Sequence, residues 1–496
     1  MEIVLIGIAA CVLIASLKFL FWRSKNQGNL PPALPGLPII GNFHQIEIGS
    51  LHISLDKFRK QFEGIFRLNV FGRNVVVLDS FDLVKEALTA TTLAEVFASR
   101  PPLFPGKYIL PSDVIFQPYT PKVVKLRKFM HKVIRLYGIE SSSTHDIIYR
   151  ETDHLLERFQ NHGTESFYPL EDIHMFVANT ILILLTGRRR ETYDHVMERI
   201  SNIDDHMSSL ANPGNSPEIE MFPLLRYFPH NPWRSCKKLS VCIDDIIGQF
   251  RKEHSEGGID EQSIMGQLLS GDVELDDGGK INEEDMRGIV TDLIAAGVET
   301  TRQTLLSTLL FIATHRGVQQ NIQTEIRRVI PLGSRITAPD KAHLPYTNAA
   351  LLEHMRLYTP VPLPVFHATS RDVDFHSYQI PKDTAVLYNI WSIHHDENFW
   401  ERPFDYIPER FLDENGALLS SEHEKRRRVI PFGLGKRSCP GESLSRLRTF
   451  LCVANILQNF DIVEDEASPL PPPDPRLYGQ GIVLKTPAYK IRLRRK

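Results

Sequence analysis

Pro431-Phe432-Gly433-Leu434-Gly435-Lys436-Arg437-Ser438-Cys439-Pro440-Gly441 sets one cysteine in a glycine-bounded loop beside a guanidinium. That is a way to present a thiolate to a haem iron. A thiolate pushes electron density onto the metal and favours O–O cleavage, while burial and hydrogen bonds around the sulfur set the potential. Gly435 and Gly441 allow backbone conformations and a close approach to a flat macrocycle that a Cβ would obstruct. Arg437 can grip a carboxylate such as a propionate with two hydrogen bonds.

The stretch resembles the haem-binding signature of the cytochrome P-450 superfamily, with Phe432, Gly435, Arg437, Cys439 and Gly441 all in place. The resemblance extends over nearly the whole chain and is loosest between about Ser201 and Lys280. It implies a mainly α fold with a smaller β-rich region, and a b-type haem (iron protoporphyrin IX) whose axial ligand is Cys439.

The 496 residues carry a net charge of −3, which argues against a general nucleic-acid binder. Five cysteines without a CxxC pair fit a reducing compartment. Cys236, Cys242 and Cys452 read as packed thiols. Nothing in the composition marks clean domain boundaries, so one large core around a cofactor is the simpler expectation.

Ile3 to Trp22 is apolar apart from Ser16 and Lys18, long enough to cross a hydrocarbon core of ~30 Å. Residues 1–22 are therefore expected to be a membrane anchor. A cleaved signal peptide fits worse, since the start is Met1-Glu2 and bulky Leu20, Phe21 and Trp22 stand where a cleavage site would be. Arg23 and Lys25 place the body on the cytoplasmic side. Residues 23–42 include the proline-rich run Leu30 to Asn42, which cannot be helical and reads as a stiff hinge. A single catalytic domain is expected over 43–496. The resemblance implies the endoplasmic reticulum membrane, with lipid around the anchor and the catalytic domain in the cytosol.

A helical pattern runs from Asn282 to about His315, with Glu283, Glu284 and Asp285 at its start. At its middle, Ala295-Ala296-Gly297-Val298-Glu299-Thr300-Thr301 sets three small residues beside an acid and hydroxyls. The resemblance makes this the oxygen-binding segment. Gly297 would then lie against the haem, Thr300 would hydrogen-bond bound oxygen and Glu299 would help relay protons. The plainer alternative is that the threonines bond back to the preceding turn.

Glu353 and Arg356 share a face of a helix from Thr347 to Tyr358, and Pro408-Glu409-Arg410-Phe411 follows downstream. The family pattern implies a buried Glu353-Arg356-Arg410 network. It also makes Arg100, Arg127 and His367 propionate partners. Val123 stands where the family's tryptophan is usual, and Thr120 where a glycine is, so one propionate hydrogen bond is expected to be absent or replaced. His394-His395 lacks a third ligand at metal spacing and reads as structural.

Lys425 to Arg428, with Lys122, Lys125 and Lys128 around Arg127, form basic runs. In the family such runs face an NADPH-dependent flavoprotein reductase, with cytochrome b5 as a further electron donor. The pocket is expected from Pro102 to Phe116, Leu293 to Thr301, Val361 to Phe366 and Tyr478 to Val483, lined for a hydrophobic small molecule. Steroid, fatty acid, terpenoid and xenobiotic are equally compatible. Phe222-Pro223, Phe228-Pro229 and the stretch Tyr378 to Thr384 point to the animal microsomal branch. The implied reaction is monooxygenation. A haem-thiolate isomerase or dehydratase acting on peroxides without O2 is the alternative, and Glu299 with Thr300 argues against it. A non-enzymatic haem sensor fits the basic runs and apolar pocket worse still.

Overall fold

The computed structural model describes residues 29–496, excepting 39, 48, 63, 103, 137–141, 212–230, 272, 274, 276–278 and 332. The expected anchor and both Phe-Pro pairs lie outside the described residues. Among the described residues no helix is long and apolar enough to cross a membrane.

Helices dominate, and a smaller sheet region joins strands from the first 80 residues to strands between residues 367 and 388. In order the elements are α1 (Leu51–Arg59), β1 (Ile65–Val70), β2 (Arg73–Leu78), α2 (Phe81–Thr89), α3 (Phe104–Tyr108), α4 (Pro121–Leu136), α5 (Ser142–Asn161) and α6 (Leu170–Thr186). Next come α7 (His195–Ala211), α8 (Asn231–Ser255), α9 (Ile264–Ser270), α10 (Glu283–Thr314), α11 (Arg316–Val329) and α12 (Pro345–Tyr358). Strands β3 (His367–Ala368), β4 (Val373–Phe375), β5 (Tyr378–Ile380) and β6 (Ala385–Tyr388) precede α13 (Ile390–His394), α14 (Glu424–Arg427) and α15 (Glu442–Asn459). Strands β7 (Phe460–Val463) and β10 (Arg492–Arg495) close the chain as an antiparallel pair, with the short hairpin of β8 (Gly479–Gln480) and β9 (Leu484–Lys485) between them.

The main sheet has the order β1-β2-β6-β3, with β2 and β6 parallel and the other pairs antiparallel. Its valine-rich strands suit a half-buried pleat. The proline-rich segment packs on this sheet: Arg67 donates to the carbonyl of Pro31 at 2.9 Å, and the N–H of Asn42 to that of Asn69 at 2.6 Å.

Helix α10 spans 32 residues, about 48 Å at 1.5 Å per residue. Asn282 and Asp285 form a reciprocal capping box that fixes its start. It is buried on nearly every side, packed by α6, α7 and α15. Helix α15, buried from Leu447 to Leu457, begins three residues after Cys439. The thiolate loop thus hangs between the sheet-side core, which takes Ile430 and Leu434, and the large helical core.

Gly435 has φ +71°, and a Cβ there would overlap the carbonyl oxygen of Leu88 at the end of α2. The close approach that requires glycine is therefore to α2. Gly435→Ala is expected to cost about 2 to 4 kcal/mol and lower haem retention, measured by thermal unfolding and by haem per protein.

Candidate active site

Cys439 is positioned by backbone bonds within its own loop. Its N–H donates to the carbonyl of Phe432 at 2.9 Å, Ser438 N to Gly435 O at 3.1 Å, and Gly433 N to Ile430 O at 3.0 Å. The sulfur is exposed by area, yet burial is the largest influence on its proton affinity and raises it. It therefore opens onto an internal chamber rather than bulk water. The backbone N–H groups of Gly441 and Glu442 and the charge of Arg127 act the other way. Those amides lie at the N-terminus of α15, where a helix favours negative charge. A Cβ on Gly441, at φ −89°, would meet only the Cys439 sulfur, at 3.8 Å.

Around the loop stand four basic side chains from distant parts of the chain. Arg437 donates to the carbonyls of Ala98, Val114 and Gln117 at 2.8, 2.9 and 2.7 Å. Arg100 donates to those of Ile115, Val365 and Phe366 at 3.0, 2.9 and 3.0 Å. Arg127 reaches the carbonyl of Ser438 at 2.8 Å, and His367 Nδ1 donates to that of Phe97 at 2.5 Å. Burial first, then the neighbouring guanidiniums, lowers Arg100 to about 9 and Arg437 to about 10. Burial and Arg100 hold His367 well below the usual imidazole range, so it is neutral.

No carboxylate pairs with Arg100, Arg127 or Arg437 among the described residues. Buried Asp113 lies close enough to act on Arg100 and Arg437, and Asp292 on Arg127, but neither closes an ion pair with them. Three clustered cations so weakly balanced are costly unless something more negative joins them. A cysteine cradle facing a chamber and a cation cluster without ion-paired carboxylates are the donor set a haem with two propionates requires. The residues fit the group. Val123 is buried on α4, so it offers no hydrogen bond where a tryptophan would.

The opposite wall comes from α10. Leu293, Ala296, Gly297 and Thr300 are partly or fully open while Val298, Glu299, Thr301 and Arg302 are buried. Positions 293, 296, 297 and 300 form one helical stripe. An open stripe in mid-helix marks a chamber wall. Thr300 Oγ1 donates to the carbonyl of Ala296 at 2.7 Å, so its proton is used and its lone pairs can accept.

Glu299 lies off that stripe. It pairs with Arg302, which also reaches His174 Nδ1 at 2.9 Å, and it accepts from Gln303 at 3.3 Å. The glycine at 297 gives room on the other flank too, because a Cβ would come within 2.8 Å of the Ile181 side chain.

Glu353 is fully buried and takes Arg356 Nε at 2.7 Å, Arg356 Nη2 at 2.8 Å, Arg410 Nε at 3.0 Å and the N–H of Ile407 at 3.2 Å. Arg356 continues to the carbonyl of His394 at 2.7 Å and stacks over Trp400. His394 Nε2 accepts the N–H of Ile430 at 2.9 Å, and its Nδ1 meets the Thr359 hydroxyl at 2.8 Å. This ring links the carboxylate network to the base of the thiolate loop. Sequence reading found no role for it beyond structure, since its partner lies 36 residues away with no spacing signal. No group of three or more potential metal-ligating side chains occurs among the described residues. Cys236, Cys242 and Cys452 are buried, and burial pushes all three thiols up.

A family model described as cytochrome P450 matches residues 31–493. Among curated proteins the chain is similar to cytochrome P450 2U1 of Rattus norvegicus, 32% identical over 93% of this chain and 90% of that one. It is similar to cytochrome P450 2U1 of Homo sapiens, 30% identical over 93% of this chain and 89% of that one. Cytochrome P450 2D10 of Mus musculus is 30% identical over 91% and 89% respectively.

Replacing Glu353 by alanine leaves Arg356 and Arg410 without their buried anion, at a cost of about 3 to 5 kcal/mol. Glu353→Ala is expected to yield protein with little or no bound haem, measured as haem absorbance per polypeptide. Wild-type haem content would contradict this.

Proposed function

From the premise that the chain belongs to the cytochrome P450 family and is a monooxygenase, we propose that it inserts one atom of O2 into a hydrophobic small molecule with NADPH-derived electrons from a flavoprotein reductase. The single observation that carries this reading is the open stripe of α10, with Thr300 on it, in a chain whose one chamber-facing thiol is Cys439 among the described residues. Bound haem would supply oxygen activation, with Cys439 as its thiolate ligand and Arg100, Arg127, Arg437 and His367 around its propionates.

Within that arrangement the Thr300 hydroxyl donates to the Ala296 carbonyl and keeps its lone pairs for an incoming donor. It can thereby orient a water, and that water carries the proton inward. Glu299 stands behind it in the ion pair with Arg302, so its part in proton delivery requires that pair to open. Ile115, Leu293, Val361, Val365, Phe366 and Ile482 are only partly buried in the segments expected to form the pocket. Their apolar character favours a hydrophobic substrate that leaves one C–H bond near the stripe.

Electron entry is assigned to the opposite face. Arg427 is exposed on α14, beside a groove of about 1130 Å³ lined by Lys85, Lys341, Arg426, Arg446 and the back of the thiolate loop. Such a surface suits an acidic donor protein, with cytochrome b5 a second candidate. Lys122 is tied to Asp285 at 2.6 Å and contributes less. The apolar run Ile3 to Trp22 would anchor the catalytic domain to the endoplasmic reticulum membrane.

Oxygenated product that needs NADPH, O2 and added reductase tests the whole reading, and rearrangement of a peroxide substrate with no oxygenated product under NADPH, O2 and reductase would overturn it. Thr300→Ala is expected to keep NADPH consumption but divert electrons to hydrogen peroxide, with product per NADPH falling on the order of tenfold or more. Arg427→Glu and Lys125→Glu are expected to slow reductase-supported turnover on the order of tenfold at low salt, with the haem spectrum unchanged and the difference shrinking as salt rises.

A further inference from the structure

Arg448 is among the largest fully buried side chains and has no part in the chemistry described so far. It lies on α15, six residues after Glu442 and so about 9 Å along the helix from the amides that serve Cys439. Its Nη2 donates to the carbonyl of Gly297 at 2.9 Å and to the hydroxyl of Thr301, and Nη1 lies 3.5 Å from the carbonyl of Val177. Nε is buried without a partner. Gly297 is on the chamber stripe of α10 and Thr301 directly follows Thr300, so one guanidinium holds the chamber turn at two points.

No carboxylate pairs with Arg448 among the described residues. Burial lowers it to about 10, so it remains a cation at neutral pH. Glu299, the acid of the same turn, is occupied by Arg302. A buried charge without a counter-ion is expensive. Its retention here puts a fixed positive charge on the strap between the thiolate helix and the proton-handling turn.

We infer that Arg448 is a positioning residue for monooxygenation: it fixes the turn from Gly297 to Thr301 from behind so that Thr300 faces the chamber, and its charge favours the reduced haem. The first effect follows from these hydrogen bonds, and the second from a buried cation on the helix whose N-terminal amides serve Cys439. Losing the two hydrogen bonds frees the turn, and a misplacement of about 1 Å at such a site can cost on the order of a hundredfold. Losing the charge removes a stabiliser of the added electron. The inference rests on haem ligation by Cys439, which the ferrous carbon monoxide spectrum reports separately.

The test uses the full chain loaded with haem, reduced without any partner protein and exposed to oxygen, for wild type, Arg448→Met, Arg448→Lys and Thr301→Val. Midpoint potential and hydrogen peroxide released per electron are measured beside the ferrous carbon monoxide band. Arg448→Met is expected to lower the potential and raise peroxide release severalfold with the band unchanged. Arg448→Lys should recover the potential more fully than the peroxide yield. Thr301→Val, which leaves the charge, should raise peroxide release without moving the potential. Wild-type potential and peroxide yield in haem-replete Arg448→Met would overturn the inference. If that variant fails to bind haem, wild-type peroxide yields in both Arg448→Lys and Thr301→Val would overturn it.

Discussion

A single carboxylate without access to water, Glu353, organises the thiolate side of this protein. Two guanidiniums and a backbone amide converge on it, and Arg356 passes the connection to the carbonyl of His394. The His394 ring then accepts the N–H of Ile430, the residue that opens the thiolate loop. Each member is buried or nearly so, so no water can replace a lost partner. The path from α12 to Cys439 is therefore a chain of obligatory polar contacts rather than apolar packing alone.

The cation cluster and the segment from Val114 to Gln117 are one structure. Arg100 and Arg437, suited to propionates, spend their other donors on the carbonyls of Val114, Ile115 and Gln117. Asp292 of α10 takes the N–H of Val114 at 2.8 Å. The segment above the chamber is thus clasped from both the cation cluster and the central helix. Order in that segment is thereby coupled to the charge balance of the cation cluster, and on the proposed reading this would tie substrate access to cofactor binding.

Much of this was legible in the sequence, for identifiable reasons. The 282–315 pattern is a long, capped, apolar run, and α10 has the expected cap at Asn282 and ends at Thr314. Glu353, Arg356 and Arg410 form a contiguous network because the first two share a helical face and the third lies in a short tetrapeptide signature. What stayed hidden depends on contacts far apart in the chain. Gly435 needs to be glycine because of Leu88, Arg302 that holds Glu299 is itself tied to His174 on another helix, and Arg448 sits in an apolar helix where nothing nearby signals a partner at Gly297. Single polar residues inside apolar runs carry no period, so their roles emerge only from packing.

The central claim is that haem iron is held by the Cys439 thiolate. The ferrous carbon monoxide complex tests it most directly. The account predicts a strongly red-shifted Soret band in the wild type that is lost in Cys439→Ser. An unshifted band in haem-replete wild type, or a red-shifted band that survives Cys439→Ser, would contradict it.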